Sequence, residues 1–267
     1  MGDQVLTDQL WARLEPLIPT PPRRYRFPGR RRTDNRAALA GILFVVRTGI
    51  AWNDLPTAAF GASGATCWRR LKEWYEAGVW QRLHAALLAE LRAAGRLDLA
   101  HAVVDSAHLR AERGARTGPS PVDRGRLGSK HHLITDAAGT PLAVILTEAN
   151  RHDVTQLLPL IEAIPPIRGR RGRPRQRPRK VYADRGYDHD KCRCLLRARG
   201  ITPVIARRGV AHGSGRGTKR WVVERTFAWR HAVKRLRTRS ERRTDIHQAM
   251  LSLACAVICL RRLLTSF

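Results

Sequence analysis

The sequence predicts an α/β protein, in which an all-helical domain precedes a domain built on a mixed β-sheet. The residues before Gly95 carry amphipathic helical patterns with capping residues and Gly/Pro breaks. After Asp98, short apolar runs alternate with helical segments, which is typical of an α/β sheet. The last segment, Thr244–Leu264, is apolar on most faces and should pack against that sheet. We place the domains at 1–95 and 96–267.

The charge balance predicts a polyanionic partner. The chain has 50 Lys/Arg against 22 Asp/Glu, a net charge of +28 in 267 residues. Phosphate neutralisation with counterion release is the main source of nucleic-acid affinity, so DNA or RNA fits this excess. A membrane surface is the weaker alternative because there is no basic amphipathic anchor helix. A coding bias towards Arg is the alternative explanation of the excess, and it would weaken the inference of a polyanionic partner.

Cysteine usage and apolar runs predict a soluble, cytoplasmic protein. The five cysteines are odd in number and form no CxxC pair, which argues against zinc, and Cys255 and Cys259 are predicted core residues. The N-terminus lacks the pattern of a signal peptide. The longest apolar run, Ala249–Leu260, is too short to span a bilayer and is closed by Arg261.

Capping residues divide the N-terminal part into four predicted helices. They cover Thr7–Leu17 with Thr7 as N-cap, the segment from Thr33 or Asp34 to Thr48, a segment from Ser63, and Val79–Leu91. The break from Gly49 to Pro56 and the basic third helix fit a helix-turn-helix module and a plain helical bundle about equally. In the first case Arg69, Arg70 and Lys72 would contact DNA; in the second they form a solvated face.

In the C-terminal part, two short apolar runs each end in an acid. They are Ala102–Asp105 and Lys180–Asp184. A hairpin is predicted around Asp136–Gly139, and a further strand at Thr202–Ala206. The remaining predicted elements are a loop over Arg110–Lys130, a helix from Asn150 or Asp153 through Ile161, a helix over Asp188–Arg199 and a loop over Gly209–Gly217.

The segment Ile167–Lys180 is predicted to be an exposed basic loop, with eight Lys/Arg in fourteen residues. Its RGRPR stretch resembles the core of an AT-hook, which lies in an A·T-rich minor groove. A solvated loop that touches the DNA backbone is favoured over that interpretation. Arg171, Arg173 and Arg175 are the predicted DNA contacts in either case.

The segment Lys219–Leu236 is predicted to be a helix with one buried stripe. The stripe consists of Val222, Thr226, Trp229, Val233 and Leu236. Steps of 100° per residue place Arg220, Glu224 and His231 on the opposite side. Glu224 is thus a lone acid among basic neighbours. An i,i+4 ion pair with Arg220 is the simpler interpretation of this helix by itself.

Asp105, Asp184 and Glu224 together predict a metal site. Acids at the carboxyl ends of strands lie where open sheets place their sites. Hard divalent cations prefer oxygen ligands, and a pair of such ions about 3.5–4 Å apart stabilises an in-line phosphoryl displacement. We interpret four other acids as structural: Asp136 as a turn residue, Asp153 and Asp188 as helix caps, and Asp190 as first-turn charge. Lys130, His131 and His132 are expected at the surface, where they would face phosphate or solvent.

Four motifs carry a family resemblance over nearly the whole chain. They are VVDSAHLRA, TGPSPVDRGRLGSKHHL, GRPRQRPRKVYADRGYD and KRWVVERTFAW. They are similar to the bacterial DDE transposases of small insertion sequences, in the large family numbered five. The N-terminal segment through TGIAWNDLP resembles that family's helical domain.

The resemblance implies an RNase H-like catalytic fold with Asp105, Asp184 and Glu224 as the DDE triad. It implies Mg²⁺ as the cofactor, with Mn²⁺ as a substitute. The expected activity is binding of terminal inverted repeats, hydrolysis of phosphodiesters at the element ends, and strand transfer into target DNA. The expected partners are double-stranded DNA and a second copy in a dimer or larger synaptic complex. The expected location is the cytoplasm, at the nucleoid.

The chain departs from the related transposases in one signature. Their last catalytic helix carries Tyr, Arg, Glu and Lys; Arg220 and Glu224 match, whereas Gly217 and His231 stand at the Tyr and Lys positions. A His titrates near pH 6.5, so a phosphate contact by His231 would depend on pH. Two other functions stay open: a DNA-binding protein without catalysis, and an RNase H-like nuclease or RNA binder.

Overall fold

The computed structural model describes residues 6–20, 26, 31–209, 226 and 233–265. The N-terminal helices begin at the predicted caps. The side chains of Thr7, Asp34 and Ser63 accept hydrogen bonds from backbone N–H groups at the starts of their helices. The helices are α1 Asp8–Leu14, α2 Asn35–Thr48, α3 Thr57–Phe60, α4 Gly64–Glu76 and α5 Val79–Ala93. The short α3 lies between the predicted break, which ended at Pro56, and the helix predicted from Ser63, where the sequence predicted no helix.

The sheet follows α5 and contains six described strands. They are β1 His101–Arg110, β2 Gly118–Pro119, β3 Leu127–Asp136, β4 Pro141–Glu148, β5 Lys180–Ala183 and β6 Thr202–Ile205. The strands β4, β3 and β1 are antiparallel neighbours, and β5 and β6 extend the sheet from β1 in parallel. The short β2 pairs with the start of β3. This order is that of the RNase H-like fold, so the predicted fold class is confirmed.

Three further helices complete the described fold. They are α6 Leu157–Glu162, α7 Asp190–Ala198 and α8 Thr244–Leu264. Two predicted boundaries in this half are wrong. The first strand continues to Arg110, and β3 already begins at Leu127, so the predicted loop was too long at both ends. Nine antiparallel residue pairs between β1 and β3 stabilise these segments as strands despite their polar composition.

The helix α8 packs against the sheet, as predicted. The Gln248 side chain donates to the Val144 carbonyl at 3.2 Å, and the Cys259 thiol contacts the Pro141 carbonyl at 3.9 Å. Cys255 and Cys259 are both buried, which confirms the core prediction for them. By length and composition α8 is the one described helix apolar enough to cross a membrane, but 67% of its apolar window is buried inside the protein.

The N-terminal helices and the sheet share one hydrophobic core. This core runs from Leu6 in the N-terminal segment to Leu260 in α8. The α5 helix packs on α8, and its His84 donates from Nε2 to the carbonyl of Pro141 at the start of β4, at 2.8 Å. The boundary at residue 95 stays a prediction. The two parts are joined by packing as well as by the chain.

Because His84 is buried, we expect acid to destabilise the protein. Burial lowers the pKa of His84 to about 4, although the bond to Pro141 acts in the opposite direction. The unfolded chain, with an ordinary His pKa near 6.5, binds a proton that the folded state excludes. Stability is therefore lost as the pH falls from about 6.5 to about 4, by roughly 3 kcal/mol from this residue.

Urea unfolding at pH 7 and pH 4.5 measures this loss. In His84→Gln, the side-chain amide keeps a donor for Pro141 but does not titrate. The variant should lose about 2–3 kcal/mol less than the wild type between the two pH values. An equal loss in both proteins would show that His84 does not carry the effect.

Candidate active site

Asp105 lies on β1, and Asp184 directly follows the neighbouring parallel strand β5. The parallel pairing matches His101 with Lys180 and Val103 with Tyr182, a constant offset of 79 residues that also separates the two acids. Neighbouring strands are about 4.8 Å apart, and residues at the same level project from the same face. The sheet therefore brings two of the three predicted acids side by side. Asp105 lies inside β1 and not at its end, which corrects the prediction.

Local hydrogen bonds hold both carboxylates. Oδ1 of Asp105 accepts from the backbone N–H of Ser106 at 2.8 Å. Asp184 directly follows β5 and caps the 3₁₀ turn Arg185–Tyr187, where its Oδ1 accepts from the N–H of Gly186 at 2.8 Å. A Cβ at Gly186 would lie 2.9 Å from that oxygen, so glycine leaves room for the bond. Both acids are half-buried.

An apolar patch lies next to the acid pair. Val103, Leu133 and Tyr182 form a small buried cluster separate from the main core. Val103 and Tyr182 stand two residues before the two acids on the same strands, and Leu133 is paired with Asp105 across the sheet. Alternation along a strand places all of these on one face. Charge interactions are strengthened beside such an apolar surface because water screens them less.

The third predicted acid, Glu224, lies outside the described residues, as do Arg220 and His231. One described residue of that segment, Thr226, is helical and 1% exposed, and its hydroxyl donates to the Gly139 carbonyl at 2.8 Å. This agrees with its place on the predicted buried stripe. The predicted end of the helix is wrong: Val233 is extended, and Lys234–Leu236 forms a separate 3₁₀ turn.

The acid pair fits a hard divalent cation. Two half-buried carboxylates at one level, each with an oxygen fixed by a backbone N–H, are suitable oxygen donors. Within the described ranges, no group of three His, Cys, Asp or Glu residues has the geometry to hold a metal. Asp105 and Asp184 are two of the three ligands that the sequence predicted, and the third position is that of Glu224.

Lys130, His131 and His132 were expected at the surface, and this expectation is wrong. All three are buried in β3. The Lys130 ammonium lies 2.9 Å from Oδ1 of Asp153, and burial lowers the pKa of His132 to about 4. Asp153 therefore pairs with Lys130 and does not cap a helix. Side chains on both faces of β3 are buried, and the polar composition of this stretch did not indicate that burial.

The other extra acids are structural. Asp136 is a turn residue, as predicted, because its Oδ1 accepts from the N–H groups of Ala138 and Thr140 at 2.9 and 2.6 Å. Asp190 lies in the first turn of α7, also as predicted. Asp188 is not the helix cap. It accepts hydrogen bonds from the Arg208 backbone N–H at 2.8 Å and from the Arg193 guanidinium at 2.6 Å. Both bonds lower the pKa of Asp188, and the bond from Arg208 has the larger effect.

The predicted DNA-contacting residues of α4 differ in exposure. Arg69 is exposed. Lys72 pairs with Glu76 at 3.3 Å on the helix surface. Arg70 is only 7% exposed and donates to Glu73 at 3.0 Å and to the Thr33 carbonyl at 3.3 Å. Arg70 thus stabilises the helix packing.

The basic loop is exposed, as predicted, and is closed at its base. Ile167 and Arg175 exchange two backbone hydrogen bonds, of 2.8 and 2.9 Å. Arg171, Arg173 and Arg175 all have exposed side chains. The loop therefore presents its positive charge to solvent from a defined base.

Tyr187 was not among the predicted site residues, and its N–H donates to the Asp184 carbonyl at 3.2 Å. It ends the turn that Asp184 caps, and its side chain is 1% exposed. Its only signal in the sequence was its place three residues after Asp184 in DRGYD. A buried tyrosine is ordinarily a core residue, so that signal was too weak to use.

A mixed sheet of this strand order defines the protein as one with an RNase H-like domain. The family described as "Transposase DDE domain" matches residues 96–259, more than half of the chain. The family "Putative transposase of IS4/5 family" matches residues 6–84. The chain belongs to the DDE transposase family and is an insertion-sequence transposase. The DDE domain implies the use of a divalent metal ion.

Two named relatives agree with this family by sequence, and one solved structure has a low overall similarity to the chain. A Burkholderia cepacia protein, "Putative transposase for insertion sequence element IS402", is 68% identical over 144 residues, which cover 54% of this chain and 68% of the relative. The Neisseria meningitidis "Transposase for insertion sequence element IS1106" is 30% identical over 40% of this chain and 36% of its own length. A chain in "Crystal structure of the Mos1 Strand Transfer Complex" covers 90% of this chain and 76% of its own, with 8% identity and a TM-score of 0.37.

Proposed function

We propose that this transposase binds the terminal inverted repeats of its element, hydrolyses phosphodiesters at the element ends, and transfers the 3′ ends into target DNA with Mg²⁺. The observation that supports the proposal is the parallel pairing of β1 with β5, whose register, continued by two residues, brings Asp105 and Asp184 to the same level. Glu224 is the proposed third acid. Mn²⁺, which is also a hard octahedral cation, is the proposed substitute for Mg²⁺.

In this proposal the carboxylates hold the reacting centre in place. When bound, the divalent ions would stabilise the attacking and leaving oxygens of an in-line displacement. Asp105 and Asp184 would each keep one oxygen on a backbone N–H and present the other to the cation. Hydrolysis and strand transfer are both attacks by an oxygen on phosphorus, so one site would serve both steps.

Exposed positive charge supports the proposed path of DNA. Arg69 is exposed on α4, where the half-buried Lys72 pairs with Glu76, and Arg171, Arg173 and Arg175 are exposed on the closed basic loop. Each Lys or Arg that neutralises a phosphate releases counterions and so contributes affinity. Arg220 and His231 are proposed contacts on the helix of Glu224. Arg70 is not proposed as a principal contact because it is buried against Glu73 and Thr33.

The proposed reaction also has consequences for the oligomeric state of the protein on DNA and for its location in the cell. Processing two element ends requires at least two active sites, so we propose a dimer or larger complex of this chain on DNA. A bacterial transposase that acts on the chromosome works in the cytoplasm, and association with the nucleoid follows from the proposed DNA binding. We propose no membrane partner, since the long apolar helix α8 belongs to the core.

Strand cleavage and joining on a labelled duplex that carries the element's own end test this function. The wild-type chain should nick the end and join it to a target duplex with Mg²⁺ or Mn²⁺. Removal of the metal with EDTA should abolish both products and leave end binding in place. Binding without cleavage under either ion would favour the alternative of a DNA-binding protein without catalysis. Cleavage that persists in EDTA would contradict the metal site.

A further inference from the structure

The basic loop Ile167–Lys180 presents a dense positive surface without a neutralising acid. The segment contains eight Lys/Arg and no Asp or Glu. Within the described part of the chain, no acid forms an ion pair with any of the eight. Unpaired cations held this close together create a potential that attracts a polyanion. The eight exposed side chains are those of Arg168, Arg170, Arg171, Arg173, Arg175, Arg177, Arg179 and Lys180.

The loop is fixed to the end of the molecule where the parallel strands begin. The guanidinium of Arg92, in the last turn of α5, donates to the Ile167 carbonyl at the base of the loop. The loop leads directly into β5, and the N–H of Arg179 donates at 3.1 Å to the carbonyl of Leu99, two residues before β1. The start of β5 and the end of α5 therefore define where the positive surface lies.

The helix α4, which carries the exposed Arg69, lies at the opposite end of α8. Arg243 directly precedes α8, and its guanidinium lies 5.8 Å from the ring centre of Trp68 on α4. At the other end of α8, the guanidinium of Arg96, four residues after Arg92, donates to the Leu263 carbonyl at 2.9 Å. The 21 residues of α8 span about 30 Å. About this distance separates α4 from the base of the loop.

The acid pair lies between these two basic surfaces. The strand β1 begins beside the loop and ends at Arg110, whose carbonyl accepts from the Arg239 N–H at 2.8 Å, close to the contact with α4. Asp105 is the fifth of the ten residues of β1, so it lies about 13 Å from the start of the strand and about 17 Å from its end. A duplex that runs from α4 past the acids along β1 meets the loop about four base pairs further on, at 3.4 Å per base pair.

We propose that the basic loop binds the duplex on the outer side of the cleavage point, which is the DNA that flanks the element. In this arrangement α4 contacts the inverted repeat, the acid pair lies at the element end, and the loop contacts backbone phosphates of the flank. The inference rests on the proposed function, which supplies the roles of α4 and of the two acids. Backbone contacts carry no sequence information, which suits a flank that changes with every insertion.

Binding of two duplexes by the full chain tests the inference. One duplex stops at the element end, and the other continues into about ten base pairs of flanking DNA, which is long enough to pass the loop. The wild type should bind the flanked duplex about tenfold more tightly and with a steeper salt dependence, since each neutralised phosphate adds about 0.9 to the slope of log K against log salt. The triple variant Arg171→Gln/Arg173→Gln/Arg175→Gln should lose most of this preference.

The variant Arg69→Gln is the matched control, because it removes one exposed arginine from α4, on the repeat side of the acid pair. It should weaken the binding of both duplexes by the same factor and keep the preference for the flank. The loop variant should still bind the unflanked duplex, which shows that it is folded. A flank of unrelated sequence should give the wild type the same gain in affinity as the natural flank.

Two results would overturn the inference. One is a preference for the flanked duplex that is absent from the wild type or equal in the wild type and the loop variant. The other is a loop variant that loses affinity for both duplexes by the same factor, which would place the loop on the inverted repeat. If the wild type binds the unflanked element end no more tightly than an unrelated duplex of equal length, the proposed function itself fails.

Discussion

Replacement of Asp184 by Asn should lower the rate of DNA strand cleavage by about 10³-fold or more. The change removes one of the two level carboxylates and with it several kcal/mol of charge stabilisation by the metal, and each 1.36 kcal/mol is a factor of ten. The fold should survive, since the Asn side-chain oxygen can still accept from the Gly186 N–H and cap the turn. Single-turnover cleavage with Mg²⁺ measures the effect.

Asp190→Asn is the matched control for this prediction. Asp190 is an exposed acid nearby in the chain that pairs with Arg207 on the surface, so its variant should cleave at the wild-type rate. End binding without metal should be the same in both variants and the wild type. A rate within tenfold of the wild type for Asp184→Asn would show that this acid does not hold the metal.

The variant Gly64→Ala should cost about 3 kcal/mol of stability, at or above the upper end of the usual range for overpacking. Gly64 is buried at the start of α4, and a Cβ there would lie 1.6 Å from the carbonyl oxygen of Trp52. That oxygen belongs to backbone, and the Trp52 indole is itself tied to Glu241 by a 3.0 Å hydrogen bond. The Tm should fall by roughly 6–12 °C, as measured by calorimetry.

Gly61→Ala is the comparison for Gly64→Ala. A Cβ at Gly61 has no atom within 4 Å, but its φ of 65° is a left-handed conformation that costs an alanine about 1–2 kcal/mol. The loss in Gly61→Ala should therefore be smaller than in Gly64→Ala. An equal or smaller loss in Gly64→Ala would mean that the segment around Trp52 moves aside at little cost.

The local signals of the sequence were sufficient for most helix starts and for the sheet. Thr7, Asp34 and Ser63 cap their helices because a side-chain oxygen followed by a helical pattern needs no tertiary context. The hairpin around Asp136 was predictable from turn chemistry for the same reason. The fold class followed from the alternation of short apolar runs with helices and from the family resemblance.

The features that depend on distant pairing could not be predicted in the same way. The level placement of Asp105 and Asp184 is a property of strand register, which no single segment encodes. Lys130 and His132 were misplaced because partners elsewhere in the chain accommodate their burial: Lys130 pairs with Asp153, and Nε2 of His132 shares a hydrogen bond with the Thr147 hydroxyl.

The measurement that tests the account most directly is Mg²⁺-dependent cleavage of the element end by wild type and Glu224→Gln, with end binding measured on the same samples. Glu224 is the proposed third acid, and Gln preserves its size while removing its charge. We expect cleavage by the wild type, none by Glu224→Gln, and equal binding by both. Undiminished cleavage by Glu224→Gln would remove this residue from the site and contradict the proposed triad.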